Sequence, residues 1–409
     1  MIENTDTQKE KNVVVHEEGS SKFYLPVPDS NCVPSKSMSV FYNKRMEINR
    51  DITNLAINAY SELYKKNELI IVDSMAATGI SSIRMLKECK NVKKIYINDI
   101  NPAAVELIKK NLELNNLKNA GTFIEISKKD ASLLFSELSQ LTHNEKPNVI
   151  SIDPFGTPNL YVDPAFKALI NKEGLMCITA TDTPVLFGVK IKACLRKYMA
   201  KPLNNEFHKE TGARILMYFI QRIANINKVG IIPLLTMYSN HFVRIFGLTF
   251  KNKNDISESI KNFGYFIYCK HCGYRNWYQN IILNIPECCP LCEKREKLEF
   301  TGPLWLGELH KRDYLESLIE LNDQSSYKNR NRLNTILSIA LEEINMPKSY
   351  YNLHYLSKEL KLKNVPKIDV VIAKLRNKGY TASRTHFDFK SIKTDMKMNE
   401  LKQMLVSLN

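Results

Sequence analysis

A chain of 409 residues with a hydrophobic share of 44% and a charged share of 25% has the composition of a soluble globular protein and is long enough for two or three domains, each with its own core. Its formal net charge of +15 points to a polyanionic partner, nucleic acid ahead of a membrane surface; lysines filling solvent faces are the plainer account. No stretch approaches the ~20 apolar residues of a membrane span, since the best of them, 230–250, is broken by Asn240, His241 and Arg244. The N-terminal MIENTDTQKEKNVVVHEEGS is polar and of mixed charge, unlike a secretory signal, so an intracellular, reducing location without disulfides is expected.

The first 250 residues read as alternating strands and helices. LIIVDSMAATGISSIRMLKE gives a buried strand over Leu69–Asp73, a loop of small residues, and an amphipathic helix opening near Gly79. KKIYINDINPAAVELIKKNLELNN repeats the form: a strand over 94–98, then a helix begun at Asn101-Pro102, where proline is tolerated in the first turn. AGTFIEISKKDASLLFSELS and PNVISIDPFG add two strands ending in acidic loops, and GLMCITATDTP adds a fifth. Strands alternating with helices of this length predict a mostly parallel α/β sheet, in which ligands collect beyond the carboxyl ends of the strands. Each strand ends near an acid: Asp73, Asp99, Asp130, Asp153 and Asp182. Aspartate is a common turn former, so one such acid means little. Five at one sheet edge, in so basic a chain, carry more weight.

The loop DSMAATG has a single glycine, so the three-glycine dinucleotide fingerprint is absent. Asp99, twenty residues after Gly79, stands where nucleoside-binding sheets receive ribose hydroxyls. A nucleoside without pyrophosphate, S-adenosylmethionine, is therefore favoured over NAD or a purely structural acid. After the fourth strand, IDPFGTP sets Asp153 in a loop bounded by proline and glycine beside Phe155. Asp-Pro-Phe resembles the Asp/Asn-Pro-Pro-aromatic loop of methyltransferases that modify exocyclic amines of bases. Such an amine is a poor nucleophile, because its lone pair is delocalised into the ring. A carboxylate oxygen, helped by the Pro154 carbonyl, can accept both N–H hydrogens, and Phe155 offers a ring on which an extruded base stacks. A turn with a buried phenylalanine is the bland alternative. Further on, ACLRKYMAKPLNNEFHKETG holds Cys194 and His208, a thiol and an imidazole with no orienting Asn or Asp in view. The basic neighbours Arg196, Lys197 and Lys201 suit phosphate contacts instead.

A polar stretch, KNKNDISESIKN at 251–262, marks a boundary and gives expected domains of 1–252 and 253–409. Five of the nine cysteines fall between Cys269 and Cys292. YCKHCGYR pairs Cys269 with Cys272, and ECCPLCEK pairs Cys289 with Cys292, with sixteen residues between the pairs. Two C-x2-C turns at that spacing predict a zinc ribbon within about 265–300, four thiolates around one structural Zn2+ with no open position. Cys288 is a possible competitor for Cys289. The stretch 352–393 reads as helix, helix and a β-like run after Gly379, a winged-helix-like end. Its Lys374, Arg376, Lys378, Tyr380, Arg384, His386 and Phe387 interleave bases with aromatics in a way that suits an RNA backbone.

From 41 to about 393 the chain resembles the archaeal tRNA (guanine-26) N2-dimethyltransferases. The likeness rests on FYNKRMEINRDI, DSMAATGISSIR, YINDINPAAVELI, IDPFGTP, TATDTPVLFG, ACLRKYMAKPL, TGARIL, GPLWLG and TASRTHFDFKSIKT. It implies a class-I, Rossmann-like methyltransferase domain and a smaller α+β C-terminal domain that binds tRNA. It implies cofactor contacts from Arg50, Arg84, Asp99, Asp130 and Ala131, with Asp130 toward the adenine amine and Arg50 toward the cofactor carboxylate. Asp153, with Pro154 and Phe155, becomes the catalytic loop. Ser81 stands where family members often carry arginine, so that contact is either lost or moved to Arg84. The resemblance implies transfer of two methyl groups from S-adenosylmethionine to a guanosine N2 in tRNA. The expected protein is a monomer with no membrane partner, in the cytoplasm (or the nucleus of a eukaryote).

Overall fold

In a computed structural model, which describes residues 13–26, 38–117, 121–279 and 286–408, the expected alternation of strand and helix begins at Leu69. The first twelve residues, part of the stretch read as non-secretory, lie outside the described residues, as do 280–285 within the expected zinc module. The chain forms two compact units: 1–154, 160–178 and 317–334 in one, and 155–159, 179–316 and 335–409 in the other. These divisions differ from the expected boundary at 252/253.

In the first unit, β1 (Val13–Glu18) and β2 (Ser21–Pro26) form an antiparallel hairpin. Then come α1 (Glu47–Leu63), β3 (Leu69–Asp73), α2 (Ile80–Glu88), β4 (Val92–Asn98), α3 (Pro102–Leu114), β5 (Phe123–Ser127), α4 (Ala131–Ser139), β6 (Val149–Ile152), α5 (Asn159–Ala168) and β7 (Leu175–Ala180). The order β5-β4-β3-β6-β7 is parallel throughout. β6 and β7 are buried along their whole length, as apolar runs covered on both faces must be. Helix starts follow capping chemistry: Asn101 accepts the N–H of Ala103 ahead of Pro102, and Asp130 accepts that of Ser132. Because the chain leaves β3 toward β4 on one side and β6 on the other, the strand order reverses at β3 and β6. That switch point is where a parallel sheet opens a crevice for ligand.

The second unit carries α6 (Thr183–Leu186), α7 (Ile191–Tyr198), α8 (His208–Ile226), β8 (Gly230–Ser239) and β9 (Phe242–Phe250). The segment 230–250 is an antiparallel hairpin, with Arg244 buried, hydrogen-bonded to Thr179, and 5.2 Å from the Phe246 ring centroid. Among the described residues no helix is long and apolar enough to cross a membrane. After α9 (Lys253–Ser259), strands β10 (Phe263–Cys269), β11 (Arg275–Tyr278) and β12 (Leu298–Trp305) pair antiparallel in the order β11-β10-β12. Helices α10 (Arg312–Asp323) and α11 (Arg330–Glu342) follow in the chain, with 317–334 counted in the first unit. The end of the chain is β13 (Tyr351–Asn352), α12 (Leu353–Glu359), α13 (Ile368–Asn377), β14 (Ala382–Arg384), β15 (Ser391–Thr394) and α14 (Met398–Val406). Its sheet, β13-β15-β14, packs with α12 and α13 around Leu356, Val371, Leu375 and Ile392, the winged-helix-like arrangement expected from the sequence.

Candidate active site and metal centre

One buried amide ties the carboxyl ends of β3, β4 and β5 together. Asn98 donates to Ser74 O (3.0 Å) and Lys129 O (2.9 Å) and accepts from Ser127 Oγ (2.7 Å) and Lys129 N (3.0 Å). All four bonds a carboxamide readily makes are in place. The loop after β3 turns through Ala77 at φ 49° and Gly79 at φ 77°. At Gly79 a side chain would meet that left-handed backbone and put its Cβ 3.0 Å from Ile108, so the tight turn requires glycine. Asp99 accepts Ala77 N on one oxygen (2.8 Å) and Asn101 N on the other (2.9 Å). Its carboxylate is thus pinned to the small-residue loop while each oxygen keeps a second lone pair. Asp130 is exposed at the start of α4, with Ala131 buried beside it. Asp73 differs from these acids, being turned inward to accept the Ser82 hydroxyl at 2.6 Å.

Arg50 and Arg84 enter an ion network. Glu18, buried, receives Arg50 through Nε (2.5 Å) and Nη2 (2.6 Å), and Arg84 through Nη1 (3.0 Å). Arg84 has no exposed surface and also meets Asp51 (2.7 Å) and Glu88 (2.9 Å). Burial opposes the charge on Glu18, but the two guanidiniums outweigh it and hold the carboxyl below its usual range. Arg84, expected to reach a cofactor, makes bonds here that brace α1 against α2. Nothing in the sequence marks Glu18, but the polar residues Asn49, Asp51, Thr53, Asn54, Asn58 and Ser61, all buried by α1, make an unusually polar face for a helix interior.

β6 runs into the loop Asp153-Pro154-Phe155-Gly156. Asp153 is half-buried, and Asn49 of α1 donates its Nδ2 to Oδ2 at 3.0 Å. Pro154 is buried, whereas Phe155 is 62% exposed, so this is not the turn with a buried ring. Gly156, at φ 94°, bonds Thr181 in both directions, N to Oγ1 at 2.7 Å and O from N at 2.8 Å. Thr157 shares a hydrogen bond with the Tyr198 hydroxyl (2.9 Å), which donates to Asp182 (2.8 Å). Lys197 closes the set on Asp182 at 3.0 Å. Burial and the nearby Asp182 charge push the Tyr198 hydroxyl well above its ordinary value, so it stays a donor. The fifth strand-end acid, Asp182, therefore anchors the loop, and Lys197, expected at phosphate, is its counter-ion.

The four cysteines converge. Cys269 and Cys292 sulfurs lie 3.7 Å apart, Cys272 and Cys289 sulfurs 3.6 Å, and all four within 4.8 Å. A tetrahedral ion with Zn–S bonds of ~2.3 Å places its sulfurs about 3.8 Å apart, so the donor set fits zinc. Matching turns build both knuckles, with Gly273 N donating to Cys269 O (2.9 Å) and Glu293 N to Cys289 O (2.8 Å). Cys288 is exposed and outside the cluster.

The rival thiol and imidazole are inert. Cys194 is fully buried, its thiol pushed up to about 12 first by desolvation, and His208 packs at a tilt against Phe187 with its protonation disfavoured by burial. The C-terminal basic cluster is thinner than expected. His386 and Phe387 are buried, because the ring of His386 bonds Glu343 at 2.7 Å. Arg384 pairs with Asp369 (2.7 Å) and Arg376 donates to Ala382 O (2.8 Å). Lys374 and Lys378 are exposed.

Residues 19–406 match the family model described as N2,N2-dimethylguanosine tRNA methyltransferase. The chain is 36% identical over 392 residues to the tRNA (guanine(26)-N(2))-dimethyltransferase of Methanosphaera stadtmanae, covering 96% of each chain. It is 35% identical over 393 residues to that of Methanobrevibacter smithii, covering 96% of this chain and 97% of the relative. Among solved structures it is similar to Trm1 from Pyrococcus horikoshii in complex with S-adenosyl-L-methionine, with a TM-score of 0.81 at 29% identity, over 96% of this chain and 99% of that one. The chain belongs to the tRNA (guanine(26)-N(2))-dimethyltransferase family.

Proposed function

We propose that this protein methylates the exocyclic N2 of guanosine 26 in tRNA twice, giving N2,N2-dimethylguanosine. The observation that carries the reading is the loop after β6, where the Asp153 carboxylate is fixed by Asn49 and followed by an exposed Phe155, at the switch point of a parallel sheet. S-adenosylmethionine, when bound, supplies an electrophilic methyl group. Asp99 is set to accept ribose hydroxyls, because both its oxygens retain acceptor capacity beside the small-residue loop. Asp130 and Ala131 at the start of α4 would meet the adenine. Arg50, whose Nη1 is not engaged with Glu18, would face the cofactor carboxylate. Asp153 and the Pro154 carbonyl accept the amine hydrogens, and Asp153 takes the proton that the nitrogen sheds as it is methylated. Phe155 stacks on the extruded guanine. Positioning of amine against methyl group supplies much of the rate.

Cys269, Cys272, Cys289 and Cys292 hold a structural zinc, since four thiolates leave no position for substrate. Exposed Lys374 and Lys378 are the phosphate contacts of the C-terminal region, and Arg196, exposed on α7, is another. The protein would act as a monomer in the cytoplasm. Mass analysis of nucleosides from tRNA incubated with protein and S-adenosylmethionine tests the reading. N2,N2-dimethylguanosine at position 26 is the expected product, and tRNA recovered unmodified would overturn it.

A further inference from the structure

Asn49 lies in the first turn of α1, is 2% exposed, and donates its Nδ2 to Asp153. The orientation of the amide is fixed by this bond, because turning it over would set its oxygen against a carboxylate. With Nδ2 so placed, Oδ1 is buried and has no hydrogen-bond partner among the described residues. A buried carbonyl left unsatisfied costs about 1–3 kcal/mol, and such groups call for an explanation in terms of a ligand or a role. The helix cannot relax to relieve it, since the adjoining residues Arg50 and Asp51 are locked to Glu18 and Arg84. An orphaned acceptor is thus held rigidly beside the carboxylate that meets the substrate amine.

We infer that Asn49 Oδ1 is a further acceptor at the reacting amine, sharing with the Pro154 carbonyl the N–H of the guanine N2 group that Asp153 does not take. The inference rests on the reading of the Asp153 loop given above. Acceptors on both hydrogens of one amine hold them in a fixed plane and leave the nitrogen lone pair aimed across it. After the first methyl transfer the amine keeps a single N–H, which Asp153 alone can accept. Asn49 therefore matters most for the first methylation and less for the second.

The test is single-turnover methylation of unmodified tRNA and of tRNA already carrying N2-methylguanosine at the target, with calorimetric binding of S-adenosylmethionine alongside. Asn49→Leu keeps the size of the side chain and removes the acceptor; Asn49→Ala serves if the leucine variant does not fold. The expected result is unchanged cofactor affinity, a first transfer slowed about a hundred-fold, as for a misaligned reactant, and a clearly smaller loss on the second. Asn49→Asp restores an acceptor but crowds two carboxylates, so its first transfer should recover at high pH with the acid limb of the pH–rate profile moved upward. Equal losses on both transfers would reduce Asn49 to a structural brace and overturn the inference. A loss confined to cofactor affinity would assign Oδ1 to the cofactor's amino group and also overturn it. Asp153→Ala distinguishes the two levels. If it turns over normally, the reading of the loop falls and the inference with it; if it is inactive while Asn49→Leu behaves as the parent enzyme, only the inference falls.

Discussion

At the scale of single residues, the proposed mechanism gives two strand-end acids different work, and substitution should separate them. On the proposed mechanism, Asp153→Ala removes the acceptor that would face the amine. Turnover should fall by about 10²–10⁴ with cofactor binding intact, and a parent-like kcat on tRNA would sink the mechanism. Asp99→Ala removes a carboxylate that pins Ala77 and Asn101 along with its ribose contacts. Charge-assisted bonds of this kind contribute about 1.5–3 kcal/mol each, so calorimetry should show cofactor affinity lowered by at least ten-fold. Unchanged affinity would make Asp99 a strand-end acid only. The strand-end positions of both residues were legible because each follows an apolar strand directly, where backbone geometry decides the position. Arg84 was not, because its partner Glu18 is 66 positions away in the chain, and an amphipathic helix pattern does not tell a rim arginine from one sealed among three carboxylates.

Among the elements, the knuckles and the C-terminal core each have a chemical weak point. Without metal, four thiols whose sulfurs lie 3.6–3.7 Å apart in pairs hold no fold together, and structural zinc contributes folding energy outright. Cys272→Ser or chelation should unfold the β10–β12 region and weaken tRNA binding while free-cofactor affinity survives; purified protein without zinc would refute the assignment. The second weak point is His310, buried against His386 and Glu343, with Lys393 3.5 Å from Glu343 and Arg214 nearby. Desolvation first, then the neighbouring His386, pushes its protonation down to about 3. An unfolded histidine titrates near 6.5, so below that pH the unfolded chain binds the extra proton. Stability is complete above pH 6.5 and falls with pH, by about 2 kcal/mol at pH 5 from this group alone. Glu343, held below its usual range by His386 and Lys393 against burial, and Glu210, down to about 2, add their losses only below the ordinary carboxylate range. His208 contributes in the same window as His310, so the measurement is denaturant unfolding of His310→Asn against the parent at pH 7 and 5. Equal pH dependence in the two would remove His310 as the cause. Histidine in THFDF read as an exposed RNA contact because basic and aromatic residues alternate there; the alternation in fact places His386 and Phe387 inward, with Glu343 as the partner the sequence did not reveal.

For the whole molecule, the polar stretch 251–262 shows how composition misleads about organisation. It reads as a linker, yet it lies within one compact unit, and its polarity reflects α9, which buries no residue. The charge of +15 is a sounder guide, because it acts on a polyanion regardless of where compact units divide. Protein neutralising phosphates releases counterions, so log K for tRNA should fall linearly with log salt. Of the basic residues near the C-terminus, Arg384 is paired with Asp369 and Arg376, although exposed, is bonded to Ala382 O, whereas Lys374 in α13 and Lys378 at its C-terminal cap are exposed one turn apart. If both lysines touch phosphate, replacing them with alanine should flatten the salt slope by about 1.4–1.8, at 0.7–0.9 per contact. Affinity should drop for all tRNA sequences alike, and methylation should recover at saturating tRNA, since neither side chain serves the amine. A solvated helix face predicts no change in slope or affinity. Filter binding of the double variant from 50 to 200 mM salt, about the range in which such contacts show, decides between them, and an unchanged slope would end the claim that α13 grips RNA.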